Sequence, residues 1–85
     1  MKNKEIQKQQ LLQELEELLA RLSIPLRYEK GDFSGGLCKI EEQAHFILNK
    51  NLSLEQKLQI LKSDLQHINL EDHFIRPALR EFLNS

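Results

Sequence analysis

The chain has 85 residues and a mass of 10.0 kDa, which leaves room for one hydrophobic core and therefore one domain. Hydrophobic residues make up 40% and charged residues 29%, which excludes the low-hydrophobicity, high-charge composition of a disordered chain. Twelve basic side chains against thirteen acidic ones give a net charge of -1, so no overall field draws in a polyanion, and generic nucleic-acid binding is disfavoured.

The opening MKNKEIQKQQ lacks the apolar core of an export signal, and no later stretch approaches the length of a membrane span. The lone Cys38 has no partner for an internal disulfide and is expected to be a small buried hydrophobe. A cytoplasmic protein that does not enter a membrane is the expectation. Seventeen leucines, with no Val, Thr or Trp, favour helix over strand.

Leu11, Leu15, Leu18 and Leu22 recur at helical steps, with Leu12 and Leu19 beside them and Gln13, Glu14, Glu16, Glu17 and Arg21 on the other face. This predicts an amphipathic helix over about 3–23, stopped by Pro25, whose ring removes an amide donor and biases Ile24 towards extended geometry. Ile24, Leu26 and Tyr28 alternate with Pro25, Arg27 and Glu29, the period of a half-buried strand that its proline restricts to an edge or a strand start. The segment KGDFSGG contains all three glycines and is expected to be a loop. It is not a phosphate loop, because Gly36 leads into Leu37 and Cys38 rather than into a Lys at a helix start.

LCKIEEQAHFILN predicts a β-hairpin. A three-residue turn at Glu41, Glu42 and Gln43 pairs Ile40 with Ala44 and Cys38 with Phe46, gathering Cys38, Ile40, Ala44, Phe46 and Leu48 on one face, whereas a two-residue turn splits that set. Ser53 and Gln56 match a capping box, and Leu54, Leu58, Leu61, Leu65 and Ile68 continue from it as an apolar stripe, predicting a helix over about 53–69. Pro77 suits the first position of a last helix over about 77–83. The expected architecture is one α+β domain spanning 1–85: a long N-terminal helix, a strand and hairpin over about 24–49, and two C-terminal helices packed on the small sheet.

Cys38, His45, His67 and His73 lack the spacing of a metal site, so no metal, cofactor or catalytic residue is expected. His45 is expected to be an exposed strand residue. Gly31, Asp32, Phe33, Gly35 and Gly36 form the candidate ligand loop, irregular segments on a rigid scaffold being common carriers of function. Leu11, Leu15, Leu18 and Leu22 form a heptad-type seam that Leu12 and Leu19 widen, a candidate interface with a second copy as a homodimer or with another protein. The competing reading is a helix packed on its own domain, and replacing Leu12 and Leu19 with Glu is the expected way to separate the two.

The unit GGLCKIEEQAHFILNKNLSLEQKLQILKSDLQH, with Asn49 fourteen residues before Ser63-Asp64-Leu65-Gln66-His67, resembles the ImmA/IrrE-like family of small zinc metallopeptidases. In that family a strand ends in Asn and a helical HExxH motif follows at this spacing. The resemblance covers the middle of the chain and implies a related fold that has lost its chemistry. Ser63 stands where the first zinc ligand would be and Asp64 where the general base would be, and only His67 matches a ligand position. One imidazole cannot hold a catalytic zinc. The alternative for Asp64 and His67 is a surface pair one turn apart.

Three function classes follow in order. The first is a non-catalytic protein-interaction or regulatory module. The second is a small-molecule or peptide binder using a remnant groove at Ser63, Asp64 and His67. The third, a nucleic-acid-binding regulator, requires folding to gather Arg27, Arg76 and Arg80 on one face.

Overall fold

The computed structural model describes residues 2–85. Helix α1 spans Lys2–Arg21, strand β1 Leu26–Glu29, strand β2 Gly35–Ile40, strand β3 Gln43–Asn49, helix α2 Leu54–Leu65 and helix α3 Pro77–Asn84. The domain is α+β. Its sheet has the order β1-β3-β2, with β1 parallel to the central strand and β2 antiparallel to it. The thinnest dimension, 18 Å, is that of one helical layer on one sheet.

The helix α1 stops before Pro25 has any part in it. Ser23 takes φ 60, its amide donates to the Ala20 carbonyl at 3.1 Å, and the Ile24 amide reaches back to the Leu19 carbonyl at 2.9 Å. These two bonds are the Schellman pattern, with Ile24 and Leu19 both buried beneath it. Glycine is the usual occupant of that left-handed position, and serine carries a Cβ penalty there. Ser23→Gly is therefore expected to raise stability by about 1 kcal/mol, read as a higher denaturant midpoint at unchanged slope. Pro25 sits just ahead of edge strand β1, and its carbonyl accepts from the Phe46 amide at 2.8 Å.

The hairpin register differs from the sequence expectation. Ile40 pairs with Gln43, Cys38 with His45 and Leu37 with Phe46, so the turn is the two residues Glu41 and Glu42, at φ 50 and 75. Two positive φ values mark the turn whose twist matches the strands, here adopted without the usual Asn-Gly. The apolar set splits. Leu37, Ala44, Phe46 and Leu48 join Leu26 and Tyr28 against the helices, while Cys38 and Ile40 turn to the other face. Gly35 and Gly36, expected in a loop, are the first two residues of β2.

All three helices bury leucines on one side of the sheet. Leu15, Leu18 and Leu19 of α1 meet Leu58, Leu61 and Leu65 of α2, Phe46 and Leu48 of β3, and Leu79 and Leu83 of α3. The capping box is formed: Ser53 Oγ accepts from the Gln56 amide at 3.2 Å, and Gln56 Oε1 accepts from the Ser53 amide at 2.9 Å. The helix α2 ends at Leu65, short of Asn69. The His67 and Ile68 amides donate three residues back, and Asn69 Oδ1 accepts from the Glu71 amide at 3.0 Å, offering the backbone a turn in place of another helical bond. Pro77 opens α3 as expected.

Candidate functional site

The side chains expected to form an association seam are core residues. Leu15, Leu18 and Leu19 are fully buried, and Leu11, Leu12 and Leu22 pack half-buried on the same cluster. The helix serves its own domain through Leu15, Leu18 and Leu19, which the sheet, α2 and α3 cover, while Leu11, Leu12 and Leu22 keep part of their surface in solvent. Leu19→Glu would bury a carboxylate in that core, so the double substitution tests folding rather than association.

The Ser63, Asp64 and His67 positions do not converge. Ser63 is exposed on α2, and His67 is exposed in the turn beyond the helix. Asp64 points to the sheet, where its Oδ2 accepts from the Leu37 amide of edge strand β2 at 2.9 Å. Gly36 makes this approach possible, since a Cβ there would stand 2.7 Å from the same oxygen. The carboxylate thus ties α2 to the sheet edge by satisfying a backbone donor, and the surface pairing of Asp64 with His67 is not formed.

The glycine loop is organised from beneath by Asn49, a buried residue at the end of β3. Its Nδ2 donates to the Gly31 and Phe33 carbonyls at 2.6 and 2.7 Å, and its Oδ1 accepts from the Asn51 amide at 2.9 Å. One side chain therefore sets both the loop and the approach to α2. Phe33 remains 40% exposed, its ring lying against Gly31, and does not cap the core. Asp32 is exposed. Sequence reasoning noticed Asn49 only as a strand end, because its partners lie 16 and 18 residues away.

A polar column links α1, β1 and α2. Tyr28 donates its hydroxyl to Glu16 Oε2 at 2.8 Å, and Lys57 Nζ stands 5.1 Å from the ring centroid. Burial, followed by the bond to Glu16 and its negative charge, raises the phenol above its ordinary pKa. The stability this contributes is complete below the unfolded-state pKa of ~10 and is lost as pH rises through the higher folded-state value. Tyr28 is the only tyrosine, and there is no Trp, so near-ultraviolet phenolate absorbance reports on it alone. The native chain is expected to titrate above free tyrosine, and a native titration at the free value would contradict the Glu16 bond.

The outer face of the sheet, away from the helices, carries the split half of the apolar set. Cys38, Ile40 and Ile47 belong to no part of the core cluster, and Ile40 is 41% exposed. His45 lies opposite Cys38 in the register, half-buried, with Nδ1 shielded from solvent and lacking a hydrogen-bond partner. Arg27 and Glu29, paired at 2.9 Å, rim the patch on β1. Solvated faces of sheets ordinarily alternate to polar residues, so three apolar side chains here depart from the pattern. The sequence reading misplaces Cys38 and Ile40 because the burial argument for the longer turn draws both inward.

Arg27 and Arg76 each stand beside a carboxylate, Glu29 and Glu14 respectively, and Arg80 is exposed on α3. No group of three His, Cys, Asp or Glu side chains suited to a metal occurs among the described residues, nor does any helix there have the length and apolarity to cross a membrane. No protein-family model, curated protein or solved structure matches the chain.

Proposed function

We propose that the protein is a non-catalytic interaction module that binds a protein partner on the outer face of its sheet. The observation carrying this reading is the patch of Cys38, Ile40 and Ile47, apolar, outside the core cluster and rimmed by the Arg27–Glu29 pair. Apolar groups held against water on a sheet face cost solubility, and contact with a partner recovers that cost. A polar rim around an apolar centre is also the usual anatomy of an interface. Two polar side chains near the candidate sites are committed to the fold, Asn49 to the loop and Asp64 to the sheet edge. That use supports a non-catalytic reading of the Ser63, Asp64 and His67 region.

The single cysteine makes the test direct. A thiol-reactive photocrosslinker on Cys38 is expected to capture one specific protein in lysate of the source cell, and an Ile40→Lys, Ile47→Lys variant is expected to lose that product while keeping its circular dichroism. A crosslink indifferent to both lysines would sink the proposal. Metal analysis tests its non-catalytic half, since stoichiometric zinc in protein purified without added metal, with chelator-sensitive peptidase activity, would overturn it.

A further inference from the structure

On the helical side of the molecule a groove runs between α1 and the segment from Phe74 to Ser85. Its α1 wall is the stripe Gln7, Gln10, Glu14, Glu17 and Arg21, which recurs at steps of three and four and is distinct from the buried leucine rows. At the Gln7 end the groove opens into a cavity of about 500 Å³ with Leu11, Ala78 and Phe82 among its walls. At the Arg21 end stands Phe74, the most exposed large hydrophobic residue among the described residues at 70%. A hole and an unhoused aromatic knob therefore share one surface.

We infer that this surface is the interface of a two-fold homodimer in which Phe74 of each copy enters the α1–α3 cavity of the other. The spacing along α1 fits. The cavity is flanked by Gln7, Gln10 and Leu11, and Phe74 lies level with Glu17 and Arg21, so the two features sit on opposite sides of Glu14. At ~1.5 Å per residue each is centred roughly 7 Å from Glu14 along the helix. Two α1 helices crossing antiparallel at Glu14 bring each knob over the opposite hole, the self-complementarity that an isologous contact requires.

The charges on the axis fit as well. Glu14 Oε1 is shielded from solvent and has no hydrogen-bond partner, while Arg76 Nε stands 3.8 Å away on a side chain 71% exposed. Two copies bring each exposed Arg76 guanidinium, which has free donors, within reach of the partner copy's acidic stretch at Glu14 and Glu17. The inference concerns a different surface from the outer sheet face and does not depend on that reading.

Sedimentation velocity on the full chain, from micromolar to millimolar concentration, tests it. The wild type is expected to pass from monomer to dimer. Phe74→Glu should remain monomeric with an unchanged melting curve, because a residue this exposed contributes little to the fold. Ala78→Trp, which fills the cavity from within its own chain, should also be monomeric. Mixing the two variants should restore a dimer species, since the Ala78→Trp copy still offers its knob and the Phe74→Glu copy its hole. A wild type that stays monomeric at millimolar concentration, or a dimer that survives Phe74→Glu, overturns the assignment. So does a monomeric wild type that binds a lysine- and arginine-bearing amphipathic helical peptide in a Phe74-dependent way, which would give the groove to a different protein.

Discussion

Gly35→Ala is expected to destabilise the fold by about 3 to 5 kcal/mol, combining backbone strain with a steric overlap that no side chain can relieve. Gly35 holds φ 115 in β2, and a Cβ added to it would overlap the Ile47 carbonyl oxygen and stand 2.9 Å from the Leu48 Cα. Both obstacles are backbone of the central strand, so either the strand shifts or the pairing of Gly35 with Leu48 opens. A chain of this length has on the order of 4 to 13 kcal/mol to lose, so the substitution consumes much of its stability. Gly31→Ala is the comparison. Its added Cβ would meet only the Phe33 ring, at 2.7 Å, and that half-exposed ring can swing aside. Denaturant unfolding of the two variants checks the account, and an equal cost at both positions would refute it.

Asn49→Ala is expected to cost about 2 to 4 kcal/mol, because it strands two carbonyls and one amide that share a single side chain. The loss should be local before it is global. Amide exchange at Asn51 should rise first, together with exchange through the loop from Lys30 to Ser34, whose carbonyls at Gly31 and Phe33 the Asn49 amide holds. Asn49→Asp separates hydrogen bonding from shape. It keeps the acceptor for the Asn51 amide but sets a carboxylate oxygen against the Gly31 and Phe33 carbonyls, so it should be no more stable than alanine. An aspartate variant as stable as the wild type would mean that the two short Nδ2 bonds do not hold the loop.

The elements legible in the sequence are those whose causes are local. Ser53 and Gln56 face each other across one turn, and the leucines after them mark a face by spacing alone, so α2 could be read at its start. Pro77 opens α3 for an equally local reason. What could not be read depends on partners distant in sequence. The glycines at 35 and 36 look like loop residues until the Ile47 carbonyl and the Asp64 carboxylate press against them. The turn at Glu41 and Glu42 carries no local signal, because glutamate is a poor occupant of positive φ, and counting buried side chains favoured the longer turn. That one-residue difference moved Cys38 and Ile40 from the expected core to the outer face, and with them the candidate site. The spacing of the α1 leucines marks one apolar surface, but only the packing of the sheet, α2 and α3 on it singles out Leu15, Leu18 and Leu19 as its buried centre.

The strand order β1-β3-β2 places the last strand to be synthesised between the two made before it. As the chain leaves the ribosome, β1 emerges with no neighbour to pair with, and β2 follows it equally unpaired. Only when β3 appears can both edges zip onto it: the hairpin at once across its two-residue turn, and β1 by closing a loop that spans the whole of β2. The first half of this protein therefore has to wait for its second, because neither early strand has a partner until β3 has also left the ribosome.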